Sequence, residues 1–190
     1  MDGVKRARLA SRNPHKLDEL RAALPGWQLE LLDAGELPPE DGATYYENAL
    51  VKARFGRAHT GPDEWVLGED SGIEVDALDG RPGIESARWA ADPVTALLEA
   101  LDGVDAEHRA ARYRCELVCL GPDGGELRGT GALEGRVAAE PRGNEGFGYD
   151  PIFVPVGEDR TVAELGTAWK ARHSHRARAA AALLREADDG

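Results

Sequence analysis

Residues 65–80 read WVLGEDSGIEVDALDG, and the fold prediction starts from them. The apolar start predicts a strand over about 65–69, and renewed alternation predicts a second strand over 73–78. Asp70 and the Ser71-Gly72 pair then form a tight turn between the two strands. Carboxylates where a strand of an open sheet ends are typical of an active site. A polar hairpin turn explains these residues equally well, and only the remaining sequence distinguishes the two interpretations.

The composition is that of one soluble globular domain. Of the 190 residues, 42% are apolar and 31% are charged, and we treat residues 1–190 as a single domain. No apolar run approaches the roughly 20 residues of a membrane helix, and no signal-peptide core is present, which predicts a cytoplasmic protein. The net charge of −12 argues against a nucleic acid polymer as partner, because such binding needs a basic surface. A small phosphorylated ligand needs only a few local cations.

The order of predicted elements indicates an α/β fold. A strand, a helix and a second strand open the chain, and two later long strands joined by GPDGG predict a hairpin. We therefore expect a mixed, partly antiparallel sheet with flanking helices and two lobes around a cleft. The other predicted strands cover 4–11, 27–32, 111–120 and 126–138, and the predicted helices cover 14–24, 44–59, 94–101, 162–167 and 173–187.

The segment SRNPHK, residues 11–16, joins the first strand to the first helix. Asn13 is predicted to be the N-cap, and Pro14 suits the first helical position. Because N–H groups at a helix N-terminus attract anions, this junction with Lys16 one turn in is a candidate phosphate site. A capped helix with a surface lysine is the alternative, and no GxxxxGK[ST] Walker loop occurs.

Thr44 and Glu47 begin the second helix and fit a capping box, in which Glu47 accepts the Thr44 N–H. The Glu47 carboxylate is alternatively a cation ligand. Together with Asp70 it would supply the one or two carboxylates that Mg²⁺ prefers. Asn48 and Lys52 lie one turn apart on the same helix face, so this polar face is a candidate wall of the site.

A further candidate site is split between GFGYDP, residues 146–151, and the later Lys170 and Ser174-His175-Arg176. Aromatic rings and an acid on a glycine-rich loop can stack a base and hydrogen-bond its edge. His175 and Arg176 fall near a predicted helix start, where positive charge is unfavourable unless it faces an anion or a carbonyl oxygen. An ordinary loop and a basic helix start are the alternative. A nucleotide polyphosphate with Mg²⁺ accounts for all of these segments together.

Cys115 and Cys119 lie in the alternating run RYRCELVCL. Four residues along a strand span about 13 Å, which is too far for a disulfide and a poor spacing for two metal ligands. Both are therefore predicted to be buried structural thiols. The histidines show no HExxH pattern and the cysteines no paired CxxC pattern, so no zinc site is predicted.

Five motifs in order resemble the inosine triphosphate pyrophosphatase family, the Ham1-like nucleotide hydrolases that clear deaminated purine nucleotides. LASRNPHKLDEL, residues 9–20, resembles the family's ATxNxxKxxE, and TYYENALVKAR, residues 44–54, resembles TFxENAxxKA. GEDSGIEVDALDGRPGIESARWA, residues 68–90, resembles ADDSGLxVDALxGxPGVxSARYA. GFGYDPIF at 146–153 is nearly letter-perfect, and residues 170–179 match K-x-x-x-SHRxxA.

The resemblance implies one domain over 1–190, with an elongated mixed sheet and two lobes around a nucleotide cleft. It implies hydrolysis of ITP, dITP and XTP to the monophosphate and pyrophosphate by a homodimer. Asp70 would be the catalytic proton acceptor, Glu47 and Asp70 would bind Mg²⁺, and His175 and Arg176 would read the base. The residues implied to contact the substrate are Ser11, Arg12, Asn13, Pro14, His15, Lys16, Ser71, Phe147, Gly148, Tyr149, Asp150, Lys170, His175 and Arg176.

Two departures from the family motifs affect these expectations. Ser11-Arg12 replaces the usual Thr-Gly, and Glu69 stands where the family has Asp. The role of Glu69 stays open: it faces the opposite side of the strand or lies behind the direct ligands. The alternatives are a Maf-like nucleotide pyrophosphatase, against which SHR and GFGYDP argue, and a nucleotide-binding module without turnover. The presence of Asp70, Glu47, Lys16 and Lys170 argues against a binding module without turnover.

Overall fold

The computed structural model describes residues 4–189 and shows a mixed α/β protein. The strands are β1 Lys5–Leu9, β2 Trp27–Leu31, β3 Trp65–Val75, β4 Ala110–Leu120, β5 Glu126–Val137 and β6 Phe153–Pro155. The helices are α1 Pro14–Ala23, α2 Tyr45–Arg57, α3 Pro93–Ala100, α4 Val162–Leu165, α5 Thr167–His173 and α6 His175–Asp189. The sheet order is β2-β1-β3-β4-β5-β6. Parallel pairing of β1 with β2 and β3, and antiparallel pairing of β5 with β6, confirm the mixed sheet.

The described chain consists of two compact units. The first takes the described residues of Met1–Asp70, Cys115–Gly131 and Arg176–Gly190, and the second takes Ser71–Arg114 and Ala132–His175. The prediction of one domain over 1–190, with two lobes around a cleft, stays a prediction. Within residues 4–189, no helix combines the length and the apolar character needed to cross a membrane.

In the first unit, strand alternation distributes apolar side chains to both faces of the sheet. Cys115, Leu117 and Cys119 pack with residues of α1 and α6, whereas Val118 and Leu120 pack with α2. Burial of both cysteines confirms the structural thiols predicted from the sequence. Burial also raises the Cys119 pKa. The larger cluster contains Ala7, Leu9, Leu17, Leu20, Leu24, Leu29, Leu67, Cys115, Leu117, Cys119, Ala179, Ala180 and Leu183.

The predicted turn at Ser71-Gly72 is wrong, because β3 runs without interruption from Trp65 to Val75. The glycines on either side of the carboxylates are needed for close packing. A Cβ at Gly68 would lie 1.9 Å from the Ala49 carbonyl oxygen, and one at Gly72 would lie 2.1 Å from the Gly83 carbonyl oxygen. Since an uninterrupted strand alternates its side chains, Glu69 and Asp70 point to opposite faces.

The second unit buries aromatic and aliphatic side chains around the ends of β4 and β5 and the segment at β6. The predicted helix over 162–167 ends earlier, at Leu165, because Gly166 has a φ of 86°. A separate helix, α5, then carries Lys170, and the sequence patterns did not predict it. The cluster contains Ile73, Val75, Leu97, Leu101, Ala111, Tyr113, Leu133, Val137, Tyr149, Ile152, Phe153 and Val162.

Candidate active site

Asp70 lies on the face of β3 that packs against α2, and its carboxylate is enclosed by polar residues of that helix. Its side chain is only 4% exposed. Oδ2 accepts a hydrogen bond from Asn48 Nδ2 at 3.1 Å, and Oδ1 accepts one from Lys52 Nζ at 3.1 Å. Asn48 and Lys52 are one helical turn apart, so the polar face predicted for α2 lines the carboxylate.

Burial and nearby charges shift the pKa of Asp70. Burial raises the Asp70 pKa above its ordinary value, the Lys52 ammonium lowers it, and the nearby Glu69 raises it again, so the net shift is upward. Burial lowers the Lys52 pKa, but the carboxylates of Asp70, Glu69 and Glu40 outweigh that effect and raise it. Lys52 therefore stays an ammonium beside a carboxylate whose proton affinity is increased, which suits a general base.

Glu40 joins this cluster from the loop before α2. Its carboxylate pairs with Lys52 Nζ, which also donates to the Glu69 carbonyl oxygen at 3.0 Å. The sequence of this region indicated only an acidic loop, and the contact was not predicted. Only the lone lysine on the polar helix face indicated that a carboxylate partner was required.

The N-terminus of α2 differs from the predicted capping box. Thr44 Oγ1 accepts the Glu47 N–H at 3.1 Å, as predicted. The Glu47 carboxylate accepts the Ala43 N–H at 2.6 Å, and this contact replaces the predicted bond to the Thr44 N–H. Because Glu47 reaches one residue further back, its side chain lies along the exposed edge of the helix start.

The donor set suits a hard cation with few protein ligands. Asp70 and Glu47 offer carboxylate oxygens, and each Asp70 oxygen holds one hydrogen bond while it has two lone pairs. Within residues 4–189, no group of three His, Cys, Asp or Glu side chains is placed to enclose a metal. Carboxylate oxygens are ligands that Mg²⁺ accepts, and it needs only one or two of them because it keeps several waters.

Glu69 lies on the opposite face of β3, where two cations hold its carboxylate. Lys16 Nζ is 2.6 Å from Oε2, and Arg176 donates to Oε1 from Nε at 3.1 Å and from Nη2 at 2.9 Å. Arg176 Nη1 donates to Glu19 on α1. Burial raises the Glu69 pKa, but Lys16, Arg176 and Lys52 outweigh it and hold the pKa well below its ordinary value.

The loop before α1 is built around Asn13. Its Oδ1 accepts the His15 N–H at 2.9 Å and the Lys16 N–H at 3.4 Å, which confirms the predicted cap. Ser11 Oγ accepts the Asn13 N–H at 3.1 Å, and Arg12 donates to the Gly35 carbonyl oxygen at 2.6 Å. The alternative of a surface lysine is wrong, since Lys16 turns inward to Glu69. Pro14 occupies the first helical position, as predicted.

The second unit brings Phe147, Asp150 and Lys170 together, although they are separated in sequence. Asp150 Oδ2 accepts a hydrogen bond from Lys170 Nζ at 2.5 Å and from the Phe147 N–H at 2.8 Å. The ammonium also lies 4.1 Å from the centroid of the Phe147 ring. Both charged side chains are buried. Lys170 of the later segment therefore contacts Asp150 and Phe147 of the glycine-rich loop.

Aromatic residues complete this cluster. Tyr113 donates to Asp150 Oδ1 at 3.2 Å and stacks on the His175 ring at 4.5 Å between centroids. Tyr149 donates to the Ser86 carbonyl oxygen at 3.0 Å, and burial raises its pKa to about 12. Tyr113 was not predicted, because a tyrosine in an alternating strand gives no sign of the acid it will contact.

The remaining predicted residues occupy strand, loop and helix-start positions. Ser71 follows Asp70 directly in β3, and Gly148 has a φ of 62° beside Tyr149. His175 begins α6 and is buried. The predicted placement of basic residues at a helix start is therefore confirmed, and the carboxylates of Glu69 and Glu19 balance Arg176 there.

The sheet and its charged side chains define an open mixed-sheet α/β protein with buried carboxylates and cations suited to an anionic substrate. The sequence model of the Ham1 family matches residues 7–186, and the chain belongs to this family.

Similar proteins agree with this assignment. A dITP/XTP pyrophosphatase from Xanthomonas oryzae is 46% identical over 192 residues, covering 95% of this chain and 96% of the relative. One from Symbiobacterium thermophilum is 48% identical over 188 residues, covering 95% and 93%. A Ham1 protein from Coxiella burnetii superposes with a TM-score of 0.83 at 33% identity, covering 98% of this chain and all of that one. The nucleoside-triphosphatase / dITP/XTP pyrophosphatase from Mycobacterium abscessus gives a TM-score of 0.71 at 41% identity, covering 94% and 97%.

Proposed function

We propose that this protein hydrolyses ITP, dITP and XTP to the nucleoside monophosphate and pyrophosphate, and so removes deaminated purines from the nucleotide pool. The observation that carries the proposal is the buried Asp70, held by Asn48 and Lys52 in a chain of the Ham1 family. The relatives named dITP/XTP pyrophosphatase support the same substrates. Asp70 is the catalytic residue in this proposal.

In the reaction, Asp70 accepts a proton from water, and the water oxygen bonds to a phosphorus of the polyphosphate. The phosphoanhydride bond breaks and pyrophosphate leaves, which is compatible with attack at the α-phosphorus. Burial raises the pKa of Asp70 and so increases its proton affinity, while the Lys52 ammonium lowers that pKa and favours the carboxylate form. Ser71, the next residue of the strand, would contact the nucleotide from the same backbone segment.

Mg²⁺ is the proposed cofactor, and Glu47 and Asp70 are its proposed ligands. Both are carboxylates, and Mg²⁺ takes one or two carboxylates together with waters and substrate phosphate oxygens. When bound, Mg²⁺ supplies neutralisation of polyphosphate charge and acidification of a bound water. Omission of Mg²⁺ should abolish turnover, and restored activity with Mn²⁺ but not Na⁺ would fit the carboxylate ligands.

Binding of the polyphosphate is assigned to Lys16, Lys170 and the loop that carries Ser11, Arg12, Asn13, Pro14 and His15. The cap at Asn13 uses the His15 and Lys16 N–H groups. Phosphate contact in this loop therefore depends mainly on side chains, above all the Lys16 ammonium. A partly buried positive charge attracts a phosphate more strongly than the same charge in water, because the local dielectric constant is lower.

Recognition of the base is assigned to Phe147, Gly148, Tyr149 and Asp150, with His175 and Arg176. The Phe147 ring supplies a stacking surface. A guanidinium has only donors, so Arg176 favours a 6-keto oxygen and opposes the amino group of adenine. Glu69 and Glu19 take three of the five N–H groups that a guanidinium carries.

The decisive experiment measures phosphate release, with added inorganic pyrophosphatase, for ITP, dITP, XTP, GTP, ATP and modified pyrimidine triphosphates in Mg²⁺. We expect kcat/KM to be highest for ITP, dITP and XTP. Preference for a modified pyrimidine triphosphate would favour the Maf-like alternative. Tight ITP binding without turnover would favour a binding module, and either result would overturn the proposal.

The oligomeric state and the cellular location of the protein are also proposals. We infer a homodimer, because the family resemblance implies one, and a cytoplasmic location, because free nucleotides are the proposed substrates. Light scattering coupled to size exclusion would report the mass of the particle against the 20.4 kDa of one chain. The acidic composition argues against nucleic acid polymers as partners, whereas a small nucleotide needs only a few local cations such as Lys16 and Lys170.

A further inference from the structure

Glu69 has no role in the proposed reaction, although its carboxylate is completely enclosed. Its side chain has 0% exposure. An isolated carboxylate in such surroundings would hold a proton, because burial disfavours its charged form. Glu69 is nevertheless ionised, and the ion pairs with Lys16 and Arg176 are the geometric reason.

Each carboxylate oxygen of Glu69 contacts a different cation, and the two cations have different proposed roles. Oε2 faces the ammonium of Lys16 on α1, and Oε1 faces Nε and Nη2 of Arg176 on α6. All three residues belong to the first unit. One rigid side chain on β3 therefore fixes a flexible lysine and a guanidinium at the same time.

We propose that Glu69 is a positioning residue that couples recognition of the phosphates to recognition of the base. The inference rests on the proposed function, in which Lys16 binds the polyphosphate and Arg176 reads the base. When Lys16 turns toward a phosphate, the charge of Glu69 acts more strongly on Arg176, because the two cations no longer share it. Glu69 is fully enclosed, so its interactions with both cations are only weakly screened by water.

The contacts of Glu69 are those of a positioning residue and differ from those expected of a second base or a metal ligand. Its carboxylate faces α1 and α6, while Asp70 faces α2. Lys52, which hydrogen-bonds the Asp70 carboxylate, donates to the backbone carbonyl of Glu69. Glu69 thus holds the two cations directly, and its replacement should alter binding at both ends of the nucleotide.

The test uses two probes that each engage one end of the nucleotide. Inorganic tripolyphosphate reports on the Lys16 end, and inosine reports on the Arg176 end. Dissociation constants are measured by NMR titration on the full chain for wild type, Glu69→Gln and Glu69→Asp. We expect Glu69→Gln to weaken both probes by about tenfold, the scale of a lost charged hydrogen bond, and Glu69→Asp to restore part of each.

Glu116→Gln is the matched control. Glu116 is a buried carboxylate in the same unit, and it holds Arg128 at 2.9 Å and Thr130 at 3.0 Å. The same chemical change at Glu116 should leave both dissociation constants within twofold. Circular dichroism establishes that each variant is folded. If Glu69→Gln does not fold, Glu69→Asp carries the test, because it keeps the charge and should weaken both probes by about threefold.

A double-variant cycle with Lys16→Met shows whether Glu69 acts through the lysine. Adding Glu69→Gln to Lys16→Met should not weaken tripolyphosphate binding further, but should still weaken inosine binding. An effect on only one probe, or additive effects on tripolyphosphate, would overturn the coupling role. A wild-type protein that binds both probes but does not hydrolyse ITP would refute the proposed function and leave the coupling intact. Failure of wild type to bind either probe would refute the coupling.

Discussion

The ammonium of Lys52 lies 3.1 Å from Asp70 Oδ1, and the same ammonium pairs with Glu40. Lys52 is buried, so its charge acts on Asp70 with little screening by water. Burial raises the Asp70 pKa and Lys52 opposes that rise. The lysine therefore lowers the pH at which the proposed base becomes available.

Lys52→Met should move the acidic limb of the pH profile of kcat/KM to higher pH. The variant removes the cation that lowers the Asp70 pKa and keeps most of the side-chain volume, so the carboxyl group holds its proton to higher pH. A shift of about one pH unit is expected. Lys5→Met is the control, because Lys5 lies over Trp27 and Trp65. An unmoved acidic limb would contradict the assignment of Asp70 as the base.

Asp70→Asn should abolish turnover while nucleotide binding stays within about tenfold of wild type. The amide keeps the shape of the side chain but cannot accept a proton from water. Single-turnover hydrolysis of ITP gives the rate, and equilibrium titration with ITP gives the affinity. Substantial residual turnover would remove Asp70 from the role of base.

Gly68→Ala should destabilise the fold by about 1–3 kcal/mol, the usual cost of overpacking. The new methyl group would meet the Ala49 carbonyl oxygen, so β3 and α2 would have to separate. Gly35→Ala is the matched control, since nothing lies within 4 Å of a Cβ at that position. Urea unfolding of both variants measures the difference. Equal stability of the two would mean that the contact between strand and helix yields without cost.

The stabilising effect of Glu69 should disappear in acid. Its pKa is lowered in the folded protein, so its contribution is present above the ordinary carboxyl pKa of about 4.3 and is lost as pH falls through the lower folded value. At pH 7, Glu69→Gln should lower the free energy of unfolding by about 3 kcal/mol, because two buried cations lose their shared anion.

Urea unfolding of wild type and Glu69→Gln between pH 7 and pH 3 measures this dependence. The two stabilities should approach each other as pH decreases, because protonated Glu69 is as neutral as glutamine. A constant difference across this range would contradict the lowered pKa.

Local features of this fold were predictable from sequence because neighbours in the chain determine them. Asn13, Pro14 and Thr44 begin their helices as predicted, since a cap binds N–H groups only two or three residues away. The hairpin at GPDGG also follows from local turn chemistry, with Gly121 and Gly125 hydrogen-bonded at 2.8 Å.

Features that depend on distant partners were not predictable. Ser71 and Gly72 suggested a turn, but Gly68 and Gly72 are needed because Ala49 and Gly83 pack closely against them, which no local pattern reveals. The pairing of Lys16 with Glu69 is likewise a product of tertiary packing. The site residues carried over from the family motifs rest on that resemblance, and their roles stay predictions.

Because β3 is uninterrupted, the placement of its side chains depends more on the length of the strand than on its composition. Loss or gain of one residue before Glu69 would shift every following side chain to the other face. Asp70 would then face Lys16 and Arg176, and the residue next to it would face Lys52. Deletion and insertion libraries should therefore find Trp65–Val75 closed to any change of length, in contrast to loops outside the proposed substrate-binding segments 11–16 and 146–151.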